Sequence, residues 1–505
     1  MRYETVFQDE LESEALEFTS REDLKLDLKY LFVYDIYLHA AHNIMQCSEG
    51  YLETEELLTI LGGLKDLLKE YPKVVSEDYL KRGIEDVHSL IEFLLTGKIG
   101  DAGLNARFNL SRNDEIATLE RMSLRDETIK IAEMLLELCS ALLTRAEGDG
   151  NIVMPAFTHL QVAQPTTAGY YWLCNVDEIL RDLHDLKILF TELNESPLGA
   201  CAISGAPKID GIGIDRGLTA KLLGFDGIIE NTIDAVSSRG EIALRFLYVM
   251  NTLLTLHLSR LSEDIVVWSS MGLVKIPKGY ATSSSLLPQK TNPDIAELLR
   301  AKAGRIVGNL VKVATICKAL PTGYSRDLQE IKPVLFESIE TIKAAIGLMS
   351  RFIMALELNE GKMSKLLKDN WAAATDLANA VAIKYHVPYR KAYLIVKRMA
   401  QGEDLERASR AVVGFKIQFS HEEIDDLLDP KRSVERRSNK GGPSPSGVVV
   451  HAEKARKEIR ELSAWFKCRA QRVRDSFSNL EDLMSKILEN RTFSKDFVKF
   501  KKIGR

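Results

Sequence analysis

A serine-rich loop between two long apolar helical patterns holds the densest set of reactive side chains in the sequence. It runs from Tyr280 to Arg300 and contains Ser283, Ser284 and Ser285 in a row, then Lys290, Asn292, Pro293 and Asp294. Asn292 has the type of an N-cap, Pro293 suits the first helical position, and Asp294 suits the first turn. Hydroxyls and a lysine beside a helix N-terminus make a positively polarised pocket suited to an anion. Three other connectors are comparably rich. They are Ser111-Arg112-Asn113-Asp114, the stretch from Thr158 and His159 to Pro165, and the stretch from Tyr324 through Gln329 to Lys332. Each one alone also reads as ordinary helix-start chemistry, His159 as a structural histidine and Tyr324 as packing. Together, at the ends of long helices, they point to one polar pocket.

The elements that must position them are long. Helical periodicity runs from about 26 to 51, then from Thr54, then over 85–95 closed by Gly97. Longer patterns cover 115–146, 167–193, 240–271, 292–320 and 333–358. Helices of that length, apolar on more than one side, must bury one another, which predicts an all-α extended bundle. Residues 1–25 are acidic and weakly patterned. Strand signals are few and short, Val448-Val449-Val450 being one. From Glu360 the helices shorten and charge rises. Arg432 to Gly447 reads as a loop, 452–489 as a last charged helix, and 495–505 as a basic, solvated or packing tail. The expected division is an N-terminal helical domain over 1–112, a central bundle over 113–360, a C-terminal helical domain over 361–450 and a helical extension over 451–505.

Composition excludes several classes. With 505 residues, 45% of them hydrophobic, the chain can bury a large core. A net charge of −5 and a pI near 6.1 give no basic surplus for nucleic acid. The N-terminus does not read as a signal peptide and no uninterrupted apolar run reaches transmembrane length, so no membrane is expected. Six scattered cysteines without CxxC spacing suggest reduced thiols and a cytoplasmic home. His39 and His42 are three apart on a helix and could pair on a metal, but no carboxylate or cysteine framework accompanies them; no metal is expected. The glycines over 210–217 do not match a dinucleotide fingerprint.

The serine loop resembles the GSSxMPxKxNP signature of the fumarase/aspartase superfamily. SRND at 111–114, THLQxAQP at 158–165, NxxDAVSxR at 231–239, HLSRLSED at 257–264, YxxDLQExK at 324–332 and LDPxxSVxxR at 428–436 resemble its argininosuccinate lyase family. The likeness spans roughly 26–450. It implies a β-elimination that releases arginine and fumarate, as a step of arginine biosynthesis. A base removes a proton next to a carboxylate, and cations hold the resulting dianion. By similarity Ser284 is the base, supported by Lys290 and amide groups, and Lys290 with Asn292 clamps the carboxylate. His159 is the acid or its organiser, oriented by Glu297. Ser111, Arg112, Asn113, Thr158, Arg239, Tyr324, Gln329 and Lys332 match substrate-binding positions, and Asp86-Val87-His88 matches a D-x-H contribution that brings in His88. The resemblance implies a homotetramer whose sites draw on three subunits, and no cofactor, since no redox or hydride step occurs.

The chain departs from the family pattern at several points. Ser283 replaces a glycine and Leu287 a methionine. Phe108-Asn109-Leu110 stands for TGR, Glu115 for glutamine and His39 for a substrate-binding serine. Ser238 and Gly240 replace two aspartates beside Arg239, and Ile331 replaces another. Two rival readings are another fumarate-releasing lyase, such as adenylosuccinate lyase, and an inactive structural paralogue.

Overall fold

The computed structural model describes residues 12–75, 79 and 83–498. Residues 1–11 of the weakly patterned start and 499–505 of the basic tail lie outside the described residues. An N-terminal group comprises α1 (Ser13–Tyr30), α2 (Phe32–Glu49), α3 (Thr54–Val74) and α4 (Val87–Ile99). The bundle comprises α5 (Arg112–Gly148), α6 (Ala168–Leu193), α7 (Arg239–Met271), α8 (Asp294–Cys317) and α9 (Ile331–Ala355). Six shorter helices follow: α10 (Glu360–Asp369), α11 (Ala374–Tyr385), α12 (Tyr389–Ala400), α13 (Leu405–Val413), α14 (His421–Leu428) and α15 (Pro430–Arg436). The last helix, α16 (Pro445–Asn490), has 46 residues and packs along α5 and α6 and on to α3.

The bundle begins where its caps dictate. Ser111 and Asp114 form a reciprocal capping box at the start of α5, and Thr167 caps α6 by accepting from the Tyr170 N–H. Helices α5 and α7 start side by side, since Arg239 bonds Glu120 across them. At the other end, Tyr171 at the start of α6 meets Trp268 near the end of α7, with ring centroids 4.5 Å apart. Gly169 permits the tight passage from α5 to α6, because a methyl there would run into the Ala146 carbonyl. At about 1.5 Å per residue, the 37-residue α5 and the 33-residue α7 each span roughly 50 Å. The bundle, the N-terminal helices and α16 share one apolar core; Leu377, Val381, Ile395 and Ile417 belong to a separate one.

Several elements differ from the sequence expectation. The first helix starts at Ser13 rather than near residue 26. Its inward face carries Ser20, Asp23 and Asp27 beside Leu24 and Leu28, so its apolar period is weak. Helix α4 continues through Gly97 to a C-cap at Gly100. Helix α8 begins at Asp294, because Asn292 pairs as a strand with Thr282 and the Pro293 ψ of 45° is not helical. Val448, Val449 and Val450 are helical: Ser444 caps and Pro445 opens α16 just before them. The THLQxAQP segment is a β-hairpin, β1 (Val153–Thr158) with β2 (Gln161–Thr167), which places Pro155 opposite Pro165. Two strands with no further partner can hold prolines that a wider sheet would reject. Arg239–Met271 is long and apolar enough to cross a membrane by length and composition, though charged and polar residues interrupt its apolar run; half of its most apolar window is buried inside the bundle, as in a core helix.

Candidate active site

One end of the bundle closes around a polar cavity of about 170 Å³. Among the residues singled out from sequence, His88, Arg112, Asn113, Arg239, Tyr324, Gln329 and Lys332 line it. Ser111 stands next to it as the N-cap of α5 and accepts the Asn113 N–H at 3.3 Å. Lys332 Nζ lies 2.5 Å from Asp23 Oδ1 and 2.6 Å from Asp27 Oδ1, and all three are buried. Arg239 grips Glu120 through Nε and Nη2 at 2.7 and 2.6 Å. Arg112 donates to Ser89 Oγ at 2.7 Å and lies 3.2 Å from Asp86. Gln329 donates to the Thr19 carbonyl at 2.5 Å and accepts from Arg326 at 3.2 Å. The Asn113 amide donates to the Ala202 carbonyl at 2.9 Å. Most of the cationic groups therefore already face acids, and the cavity carries both signs of charge.

The second set lies at the opposite end of the bundle. Thr158 and His159 sit on the β1–β2 hairpin after α5, and Ser284, Lys290, Asn292 and Glu297 lie after α7. His159 and Leu160 form the two-residue turn, with φ of 55° and 57°. That mirror-image turn usually selects Gly or Asn, so two larger residues hold strained backbone there. Both are exposed, Leu160 by 69%. The serine loop is itself a small hairpin, Thr282–Ser283 against Thr291–Asn292, tied by Asp294 accepting from the Thr282 N–H and hydroxyl. At its tip Ser284 Oγ accepts the N–H groups of Leu286 at 3.2 Å and Leu287 at 2.9 Å. Ser283 lies in the extended strand and is not among the residues with positive φ, so the replaced glycine leaves no backbone strain. Roughly 50 Å of helix therefore separates the Arg239 cavity from Ser284 within one chain.

Behind the cavity lies a buried ionisable cluster. His88 Nδ1 is 3.0 Å from Asp35 Oδ2 and 3.9 Å from Glu115 Oε2, with all three side chains nearly sealed from solvent. Burial opposes protonation of His88, but Asp35 and then Glu115 outweigh it, and its pKa rises to about 9. Burial keeps His39 below its ordinary value, against the pull of Asp35 and Glu115, and drives His42 down to about 3. Asp35, His88 and Glu115 are close enough to be considered together as metal donors. The donor set suits a cation poorly, because the Arg107 guanidinium already sits on Glu115. Of His39 and His42, His42 is engaged elsewhere: its Nε2 is 2.8 Å from the Phe108 carbonyl and 2.9 Å from Gln46 Nε2.

Sequence reasoning missed Asp23, Asp27, Glu85 and Arg326 in the cavity, and Glu120 beneath it. The four-residue spacing of Asp23 and Asp27, one face of a helix, is the signal that could have found the pair. The HLSRLSED motif is a tie between α6 and α7. His257 meets Asp182 at 2.6 Å, Arg260 meets Glu178 at 2.6 Å, and Tyr171 donates to Asp264 at 2.5 Å. His257 lies in a π-helical turn, Thr252–Leu258, which re-aims that face of α7.

A model of the lyase family matches residues 34–308. An argininosuccinate lyase of Methanothrix thermoacetophila is 34% identical over 491 residues, covering 95% of this chain and 96% of that one. One of Archaeoglobus fulgidus is 37% identical over 437 residues, covering 85% and 87%. The first match runs well past residue 450, where the motif-level likeness ended. Among solved structures, an EDDS lyase in complex with formate is 27% identical with a TM-score of 0.83, covering 94% of this chain and 97% of that one. A class II fumarase from Schistosoma mansoni shares the fold at 17% identity and a TM-score of 0.66, covering 80% and 90%. Motifs, fold and near end-to-end likeness agree: the chain belongs to the argininosuccinate lyase family of the fumarase/aspartase superfamily.

Proposed function

We propose that the chain cleaves argininosuccinate by β-elimination, releasing arginine and fumarate. The substrate rests on the likeness to argininosuccinate lyases along nearly the whole chain. One observation carries the chemistry: Ser284 Oγ already accepts two backbone N–H groups. A serine is a poor base unless its anion is stabilised, and two amide donors with Lys290 on the same short loop supply that. In this reading Ser284 takes the proton next to the substrate carboxylate, and Lys290 and Asn292 hold the dianion. His159, partnered by Glu297, governs proton delivery to the leaving guanidinium nitrogen. Ser111, Arg112, Asn113, Thr158, Arg239, Tyr324, Gln329, Lys332 and His88 bind substrate.

Such a site requires more than one copy, because roughly 50 Å separates its halves in a single chain. An apolar groove along the bundle, lined by Ile188, Leu244, Tyr248 and Leu310, supports association into a homotetramer with shared sites. The working division remains 1–112, 113–360, 361–450 and 451–505, and the setting is cytoplasmic arginine biosynthesis. The test is to incubate purified protein with argininosuccinate and follow fumarate absorbance, with adenylosuccinate as the rival substrate and Ser284→Ala in parallel. Fumarate from argininosuccinate alone, with a loss of two or more orders of magnitude in the variant, is the expected outcome. No fumarate from the parent protein would sink the reading.

A further inference from the structure

Glu115 and His39 both differ from the family pattern, and the fold puts them together. His39 Nε2 is 3.8 Å from Glu115 Oε1 and 3.8 Å from Asp35 Oδ1, and all three residues are fully buried. Among the described residues, Asp35 Oδ1, Glu115 Oε1 and both His39 nitrogens have no hydrogen-bond partner, nor does His88 Nε2. On the inner side of His88, Nδ1 meets Asp35 from α2 and Glu115 from α5. Its other nitrogen, Nε2, is buried and unpartnered among the described residues, and His88 is one of the residues that line the cavity.

We propose that Glu115 is a positioning residue for His88. With Asp35 it holds the imidazole doubly protonated and oriented, so that the cavity offers an Nε2–H to an anionic group, a carboxylate, rather than a lone pair. With glutamine at this position His88 would face one carboxylate instead of two. Protonation of His39 would add a competing cation between the same two carboxylates, but burial keeps that ring neutral. The proposal rests on the lyase reading for the identity of the ligand, and deepens it by assigning this side of the cavity to a substrate carboxylate.

The charges around His88 support that assignment. On its inner side are Asp35, Glu115, the neutral His39, Arg107 bridging Glu115 and Glu92, and Asp86 at the cap of its own helix. On the cavity side are Arg112, Arg239, Arg326 and Lys332, each beside an acid: Asp86, Glu120, Glu85 and the pair Asp23 and Asp27. The cavity-side cations are thus spoken for locally, whereas His88 carries its charge with one N–H unused. Removing one carboxylate 3.9 Å from Nδ1 lets the proton leave at lower pH.

The experiment measures succinate binding by calorimetry from pH 7 to 10 on the assembled protein, for the parent, Glu115→Gln and Glu115→Asp. Succinate is the probe because it carries carboxylates and undergoes no turnover. In the parent, affinity should fall as pH passes about 9. In Glu115→Gln the fall should begin about one pH unit lower, and Glu115→Asp should restore the parent curve. A thermal melt on each variant separates a merely structural role, which lowers the midpoint without moving the pH limb. Coincident limbs in all three proteins, or no succinate binding by the parent, would overturn the proposal. If argininosuccinate is not cleaved while the limbs shift as described, the lyase reading fails and the role of Glu115 stands.

Discussion

Arg239 and Glu120 form a two-point ion pair sealed beneath the cavity, with both side chains at most 3% exposed. Arg239 is held in place by an acid from α5 before any substrate arrives, and its unused nitrogen is what remains for a ligand. Breaking such a pair strands a charge away from water. Glu120→Gln should therefore cost about 3–5 kcal/mol, read as a lower denaturant midpoint. Because Arg239 Nε and Nη2 would then seek other partners, substrate KM should rise as well. A stability change under 1 kcal/mol would show that water reaches the pair.

The length of α5 and α7 sets a second expectation. If each site combines the serine loop of one copy with the Arg112 end of another, two defective chains can repair each other. Ser284→Ala and Arg112→Ala should each be nearly inactive alone. Refolded together, they should recover a measurable fraction of parent activity, because some sites then receive both intact halves. No recovery at any mixing ratio, with mixed oligomers demonstrated by mass, would mean that sites are not shared in this way.

Both the long helices and the four polar connectors were legible in the sequence, because apolar period and cap residues are local signals. Ser111 and Thr167 cap where their types allow, whereas Ser444 caps an α16 that opens at Pro445, seven residues before the expected start at 452. What escaped was decided by tertiary contact. Asp23 and Asp27 weakened the apolar period of α1 because that face lines a cavity rather than a core. Asn292 has the type of an N-cap, but strand pairing with Thr282 claims it and delays α8 by one residue. The proline-bearing hairpin at 153–167 carries no strand signal strong enough to read alone. The pairing of Glu115 with His39 is invisible to spacing, since they stand 76 positions apart in the chain.

Ser283 provides a third test, since it stands where the family pattern has glycine. Its backbone is extended and paired with Thr291, so glycine's special freedom is not needed there. Ser283→Gly should change stability by no more than about 0.5 kcal/mol and leave the rate of fumarate release within about twofold. A large gain in rate would mean that the loop must bend at this position during turnover, which the extended conformation does not indicate.

Asp23 gives the last prediction, a pH dependence with a definite sign. Burial, and then the neighbouring Asp27, raise its pKa from 3.8 to about 7, against the pull of Lys332. The unfolded chain thus releases this proton at lower pH than the folded one does. Stability from this group falls as pH rises from about 4 and levels off above about 7. Asp23→Asn removes the ionisation while Lys332 keeps Asp27 at 2.6 Å. The variant should match the parent near pH 4 and exceed it at pH 8 in denaturant midpoint. It should also bind arginine, the cationic product, more weakly at pH 8, because the cavity has lost a carboxylate. Parallel stability curves for the two proteins across that range would show that Asp23 ionises normally and that Lys332 fully compensates its burial.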